Sequence, residues 1–124
     1  MMNNLIISGR VIVGKHKGSE LGFPTLNIAI PNSVNLEDYG VYLVSIDINE
    51  MHYIGMANLG TRPTFNDETP LLEVHVFDYN ENILGVFVEV TLLKKIREIM
   101  KFETEDELKR QLKIDYNECL KTRI

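Results

Sequence analysis

The sequence predicts a mostly β domain, an antiparallel sandwich or small barrel, followed by one C-terminal helix. About six short apolar stretches rich in β-branched residues follow one another closely along the chain. Little helical pattern lies between them, and a parallel sheet would need helical crossovers of a dozen or more residues, so we expect antiparallel pairing. Near the C-terminus, the apolar spacing changes from alternation to a period close to that of a helix.

The strands are predicted from alternation of apolar and polar side chains. In the stretch 41–48, Tyr42, Val44, Ile46 and Ile48 point to one side and the intervening polar residues to the other. The stretches 72–77 and 86–92 alternate in the same way, and residues 49–51 suit a hairpin connection. The predicted strands are 5–13, 26–30, 41–48, 52–59, 72–77 and 86–92.

A helix is predicted from about residue 105 to residue 121. Thr104 and Glu107 have the spacing of a capping box, with Thr104 as N-cap. An apolar stripe follows at every fourth residue, at Leu108, Leu112, Tyr116 and Leu120. We expect this helix to pack on the barrel as a lid, and the alternative is a helix that binds a partner.

Length and composition predict a single domain over residues 1–124 that folds without cross-links. The chain contains one cysteine, Cys119, and no apolar run long enough to span a bilayer or to act as a secretion signal, so we expect a cytoplasmic protein. The net charge of −5, from 13 basic and 18 acidic residues, argues against non-specific binding to nucleic acid or anionic membranes. Any polyphosphate ligand would therefore be bound through a metal ion and backbone N–H groups.

A glycine-rich segment precedes the second predicted strand. Gly14, Gly18 and Gly22 recur every four residues and could let backbone N–H groups approach phosphate oxygens, although glycine spacing alone favours a structural turn. Thr25 and Asn27 follow, with one residue between them, so strand alternation sends both side chains to one face. Their oxygens could bind Mg²⁺, and the alternative is a turn in which Asn27 bonds to backbone.

Glu73 is the candidate catalytic residue. It lies in the middle of a predicted strand, on the face opposite Leu72 and Val74, and His75 shares its face. A carboxylate held on a rigid strand beside a cleft can act as a general base. The pattern alone favours the alternative, a solvated strand face on which Glu73 and His75 form a surface pair. The three histidines and Cys119 show no metal-ligand spacing.

The segment 58–66 is a further candidate site. Its arginine, Arg62, could hold an anion or a carboxylate with two parallel hydrogen bonds. Gly60 and Pro63 equally fit a structural turn between two strands.

Taken together, these segments resemble the riboflavin kinase family, including the C-terminal kinase module of bacterial bifunctional FAD synthetases. The resemblance runs in order from about Ile7 to Asp115. Its segments are Gly9-Arg10-Val11, the glycine loop, residues 22–27, Gly40-Val41-Tyr42, residues 57–65, Leu72-Glu73-Val74-His75, Ile96-Arg97 and Lys101-Phe102. It implies a closed six-stranded antiparallel Greek-key barrel with a C-terminal helix, and transfer of the ATP γ-phosphoryl group to the riboflavin 5′-hydroxyl to give FMN and ADP.

The resemblance also implies roles for individual residues. Thr25 and Asn27 would bind Mg²⁺ with ATP, and Glu73 would act as base on the ribityl hydroxyl. Arg97 to Phe102 would form the mobile loop that closes on the flavin. The residues implied near the nucleotide are Gly14, Lys15, Gly18, Gly22, Pro24 and Gly85.

Some positions depart from the family pattern. Ser19 replaces a common cation, Leu84 and Val86 replace a tyrosine and a lysine, and Leu26 replaces an alanine. These departures motivate an alternative function, a catalytically weakened flavin- or nucleotide-binding module that acts as a sensor or carrier. A third, weaker alternative is a barrel used for contact with another protein. The adenylyltransferase module of the bifunctional enzymes is absent, so we expect no FAD synthesis. We expect a monomer without nucleic-acid or membrane partners.

Overall fold

Six strands form one antiparallel sheet in a computed structural model, which describes residues 4–13, 25–62, 64 and 67–122. Each prediction of a strand is confirmed, with bounds that differ by a few residues. The strands are β1 Ile6–Arg10, β2 Leu26–Ala29, β3 Gly40–Ile48, β4 Met51–Arg62, β5 Asp67–Val76 and β6 Phe87–Arg97. A 3-10 turn covers Leu36–Asp38, and the C-terminal helix α1 covers Glu105–Thr122.

The sheet curls into a nearly closed barrel. Its strand order is β1-β6-β3-β4-β5-β2, so β1 and β2 are the two edges. These edges approach each other through an antiparallel bridge, in which the Ile12 N–H donates to the Asn27 carbonyl at 2.8 Å. The predicted barrel is therefore confirmed, and within the described residues its closure depends on this one bridge.

The interior of the barrel is filled by the apolar faces that alternation predicts. Val44, Ile46 and Ile48 of β3 point inward, as do Leu72 and Val74 of β5. Side chains from every strand complete a continuous core, because residues two apart on a strand share a face. The other fully buried side chains of this core are Ile7, Ile28, Leu59, Val88 and Val90.

The hairpin between β3 and β4 has a tight two-residue turn. Asn49 and Glu50 have φ values of 50° and 69°, so both adopt the left-handed conformation. Positive φ at both central positions is the geometry of a type I′ turn, whose twist matches that of paired strands. The expected connection is confirmed, except that Met51 already belongs to β4.

Helix α1 begins with the predicted capping box. The Thr104 N–H donates to Glu107 Oε1 at 3.1 Å, and the Glu107 N–H donates to Thr104 Oγ1 at 3.2 Å. Two backbone donors at the helix start are thereby satisfied, which stabilises the helix. Among the described residues, no helix is long and apolar enough to cross a membrane.

The helix packs on the outer face of the sheet, as the lid interpretation predicts. Leu112, Tyr116 and Cys119 lie against a second apolar cluster that includes Val41 and Phe77. One part of the predicted stripe is wrong, because Leu120 is exposed whereas Asp115 and Cys119 are buried. An α-helix has 3.6 residues per turn, so the residues on its buried face alternate between intervals of three and four. A stripe with a strict interval of four residues gradually leaves that face.

Replacing Gly60 by alanine is expected to lower the free energy of unfolding by about 2 kcal/mol or more, because strain and a clash combine. Gly60 has a φ of +130°, and a Cβ there would lie 2.7 Å from Cδ2 of the Tyr39 ring. Urea denaturation measures the change. Gly85→Ala is the control, since Gly85 has a φ of +84° with open space around it. Equal losses in both variants would contradict the clash.

Candidate functional site

A row of polar side chains crosses three neighbouring strands on the outer face of the sheet. Asn27 of β2 lies directly opposite Glu73 of β5, and Glu73 lies opposite Asn58 of β4. Directly paired residues project to the same face. The next residues in sequence, Ile28 on β2 among them, point into the barrel core. The polar row therefore faces away from that core.

Two members of the row are buried although they belong to the outer face. Asn27 is 3% exposed and Glu73 is 6% exposed. The alternative of a solvated strand face for Glu73 is therefore wrong. Carboxylates are rarely buried to this extent, because desolvation disfavours the charged form. The Glu73 carboxylate is thus buried on a strand that pairs with β4 on one side and β2 on the other.

Asn27 presents an oxygen atom that lacks a partner. Its Oδ1 is buried and accepts no hydrogen bond within the part of the chain that the structure describes. Such an orphaned acceptor costs about 1–3 kcal/mol, so it is usually explained by a ligand, an ion or a water molecule. The alternative in which this oxygen accepts a backbone hydrogen bond is not observed among these residues.

Thr25 lies two residues before Asn27, immediately ahead of β2, and is half-buried. Leu26 and Ile28 pack with the barrel core, so alternation sets Thr25 and Asn27 on the opposite side. The predicted pairing of a hydroxyl and an amide oxygen on one face is thus compatible with the strand geometry.

Arg97 ends β6 in the same row of the sheet. Asn58 pairs with Val41 of β3, and Val41 pairs with Arg97. The Arg97 guanidinium forms an ion pair with Asp115 of helix α1, in which Nη2 lies 2.9 Å from Oδ2. Sequence reasoning missed Asp115. The only signal in the sequence for a role of this residue is its position on the buried face of the helix, between Leu112 and Cys119.

Phe102 lies at the far end of the segment that follows β6. Its N–H donates to Thr64 Oγ1 at 3.0 Å, which joins this segment to the connection between β4 and β5. The Phe102 ring centroid lies 5.8 Å from Cζ of Arg97, within range of a cation–π interaction. The structure thus brings Arg97 and Phe102 together.

His75 follows Glu73 on the same face and packs towards the helix. Its ring centroid lies 6.2 Å from that of Tyr116 and 5.8 Å from that of Phe77, both with edge-on geometry. Within the described ranges there is no group of three or more histidine, cysteine, aspartate or glutamate side chains placed to hold a metal ion. His75 thus contacts one aromatic ring just after β5 and one on the helix.

Gly85 lies at the end of the barrel where the two edges meet. Its N–H donates to the Val11 carbonyl at 2.8 Å, and the next residue, Ile12, forms the bridge to Asn27. The guanidinium of Arg10 donates to the Gly85 carbonyl at 3.0 Å. The turn that contains Gly85 is therefore connected, through Val11 and Ile12 just after β1, to the strand that carries Asn27.

Several predicted residues lie outside the described residues. They are Gly14, Lys15, Gly18, Gly22 and Pro24, together with Ser19 and Pro63. Arg62 ends β4, where its backbone pairs with Asp67. The proposed phosphate loop and the anion-binding role of Arg62 remain predictions.

Two ionisable groups near the helix and the segment after β6 have altered pKa values. Burial raises the pKa of the Cys119 thiol to about 11, with added contributions from the carboxylates of Asp115 and Glu118, so the thiol stays protonated near neutral pH. A hydrogen bond to Glu98 raises the pKa of Lys95, whose Nζ lies 2.7 Å from Glu98 Oε2.

The similarity to known proteins extends over nearly the whole chain. The family model described as "Flavokinase: Riboflavin kinase" matches residues 1–122. A bifunctional riboflavin kinase/FMN adenylyltransferase from Haemophilus influenzae is 46% identical over 110 residues, which cover 88% of this chain and 35% of the relative. The corresponding bifunctional protein of Bacillus subtilis is 36% identical, with 93% of this chain and 37% of the relative covered.

Two further similar proteins have other names. An RNA-binding riboflavin kinase, RibR, from Bacillus subtilis is 36% identical over 89% of this chain and 47% of the relative. A solved structure named as a macrolide-efflux protein from Streptococcus pneumoniae has a TM-score of 0.78 and 36% identity, covering 92% of this chain and 38% of the other. The chain therefore spans between about a third and a half of the length of these relatives.

Proposed function

The chain belongs to the riboflavin kinase family, and from that premise we propose that it transfers the γ-phosphoryl group of ATP to the 5′-hydroxyl of riboflavin, giving FMN and ADP. The observation that carries this proposal is the pairing of Asn27 with Glu73. It sets a candidate metal ligand beside a candidate base, on adjacent strands of one rigid sheet. Phosphoryl transfer needs mainly positioning and neutralisation of charge, so such a pair can suffice.

Glu73 is the proposed general base. Its carboxylate would accept the proton of the riboflavin 5′-hydroxyl as that oxygen forms a bond to the γ-phosphorus, while the bond from this phosphorus to the bridging oxygen of ADP breaks. The position of Glu73 between β2 and β4 supports the role, because a base contributes most when its orientation is fixed before the substrate binds.

Riboflavin kinases generally use a divalent metal, and we propose Mg²⁺ with Thr25 and Asn27 as its protein ligands. The buried, unpartnered Oδ1 of Asn27 fits an ion that prefers oxygen ligands. When bound, the ion would neutralise charge on the ATP phosphates. The protein's part is to hold two neutral oxygens on one face and to leave the remaining positions for water and phosphate.

The other predicted residues complete the proposed site. The glycine loop with Gly14, Lys15, Gly18 and Gly22 would cover the nucleotide phosphates, with Pro24 setting the start of the following strand and Gly85 lying near the nucleotide. Arg97 and Phe102 would close on the flavin, which agrees with their contact across the segment after β6. A single domain, a monomeric state, the cytoplasm and the absence of a nucleic-acid partner remain part of the proposal.

The test is incubation of the chain with ATP, Mg²⁺ and riboflavin, followed by chromatographic separation of riboflavin, FMN and FAD. We expect FMN and an equal amount of ADP, without FAD. Tight binding of riboflavin or FMN without ATP consumption would contradict the proposal and favour a binding module. Boiled protein and a reaction with EDTA in excess of Mg²⁺ are the controls, and both should give no FMN.

A further inference from the structure

The carboxylate of Asp115 lies on helix α1 and takes no part in the transfer proposed above. We infer that Asp115 is a positioning residue, which acts through Arg97 to fix the conformation of residues 97–102 and thereby sets the affinity for riboflavin. The fixed conformation is a property of this chain alone, whereas the effect on riboflavin rests on the proposed function.

Asp115 is held by several charge-assisted hydrogen bonds although it is only 1% exposed. Arg97 Nε lies 3.0 Å from each carboxylate oxygen, and Gln111 Nε2 donates to Oδ1 at 2.9 Å. A buried carboxylate is stable only where such donors replace water. The guanidinium that supplies them is therefore held in one orientation on the helix.

The same guanidinium also contacts the segment that follows β6. Its Nη1 donates to the Glu98 carbonyl at 3.0 Å, and its Cζ lies 5.8 Å from the centroid of the Phe102 ring. Nε and Nη2 of Arg97 thus bind the helix, while Nη1 and Cζ approach the segment. The fork geometry of arginine makes this double contact possible, whereas a lysine could not reproduce it.

The far end of the segment is hydrogen-bonded to the connection that precedes the strand carrying Glu73. The Phe102 N–H donates to Thr64 Oγ1, and Thr64 lies in the connection that leads into β5. Arg97 also lies in the same row of the sheet as Glu73. The two residues are three inter-strand steps apart, which is about 14 Å at the usual spacing of strands. The segment is therefore positioned relative to the candidate base from both of its ends.

A segment ordered before the ligand arrives binds it more tightly, because the ordering entropy is not lost on binding. If loss of the Asp115 charge reduces the ordered fraction about tenfold, the apparent dissociation constant for riboflavin rises about tenfold. The chemistry at Glu73 would change little once the flavin is bound. This split between affinity and turnover distinguishes positioning from a general loss of structure.

The first test compares Asp115→Asn with Glu118→Gln. Glu118 is an exposed carboxylate on the same helix, so its variant is the matched control. For Asp115→Asn we expect KM for riboflavin to rise about tenfold while kcat and KM for ATP stay within about threefold. Glu118→Gln should match the wild type. An unchanged KM for riboflavin in a folded Asp115→Asn variant would overturn the inference.

The second test does not need activity. Hydrogen exchange of the Phe102 amide, followed by NMR, reports directly on the bond to Thr64. We expect exchange to accelerate about tenfold or more in Asp115→Asn and to stay unchanged in Glu118→Gln. If the wild type forms no FMN, the proposed function fails while this result still decides the role of Asp115. Unchanged protection of Phe102 in the variant would overturn that role.

A third variant covers the case in which Asp115→Asn does not fold. The double variant Arg97→Met with Asp115→Leu removes both charges, and such replacements of buried ion pairs often preserve stability. We expect it to fold and to exchange the Phe102 amide rapidly. Failure of both variants to fold would overturn the inference, because the pair would then act in stability rather than in positioning.

Discussion

Replacing Glu73 by glutamine is expected to lower kcat for FMN formation by about 10² to 10⁴, the range typical for loss of a general base. Glutamine keeps the size of the side chain, but its amide cannot take the proton from the riboflavin hydroxyl. KM for both substrates should stay within about threefold, since the change removes an interaction that matters only as the proton moves. Steady-state kinetics at saturating ATP and Mg²⁺ measure the effect.

The matched control is Glu89→Gln, which makes the same change at an exposed position of β6. It should leave kcat and KM unchanged. Thermal unfolding should show that both variants remain folded, because neither substitution alters the volume of the barrel core. Full activity of Glu73→Gln would show that Glu73 is not the base, and a large fall in the melting temperature would assign it a structural role.

The strands could be predicted because alternation is a direct consequence of a sheet with one face in the core. Val44, Ile46 and Ile48 are two residues apart, so on a strand they share one face and are buried together in the core. The capping box at Thr104 was predictable for a similar reason, since it depends on residues three apart in sequence. These features are local, and the tertiary structure did not override them.

The burial of Glu73 could not be predicted, because alternation shows only that a side chain leaves the core. Whether the outer face meets water or another element depends on contacts distant in sequence. Here that face also carries Val41, Met56 and Phe77, which pack beneath the helix. The polar row therefore lies beside an apolar surface. An ordinary solvated strand face would have no such surface next to it, and alternation along one strand does not reveal this difference.

The register of the helix on the sheet was predicted only in part. Each step of four residues turns a helix about 40° beyond a full circle, so the stripe from Leu108 to Leu120 drifts by about 120°. The buried face instead continues through Asp115 and Cys119. An aspartate on the buried face of a helix suggests a buried partner. That this partner is Arg97 is known only from the structure, in which the end of β6 lies beside the helix.

Replacing Asn27 by leucine is expected to lower FMN formation at fixed Mg²⁺ by about 10² or more, because one of two proposed protein ligands is lost. Leucine has a similar size and removes an acceptor that lacks a partner among the described residues. The free energy of unfolding should therefore stay the same or rise, whereas loss of a structural asparagine would lower it by about 1–3 kcal/mol. Activity across a Mg²⁺ titration, together with urea denaturation, measures both effects.

Ligand-induced stabilisation separates metal binding from catalysis in this variant. Mg-ADP at 100 times its dissociation constant should stabilise the wild type by about 2.7 kcal/mol and should give Asn27→Leu much less. Thr25 provides the matched pair, since Thr25→Ser keeps the hydroxyl and Thr25→Val keeps only the shape. We expect Thr25→Ser to retain stabilisation by Mg-ADP and Thr25→Val to lose most of it. Equal stabilisation of all variants would refute the metal assignment, because neither oxygen would then contribute to binding.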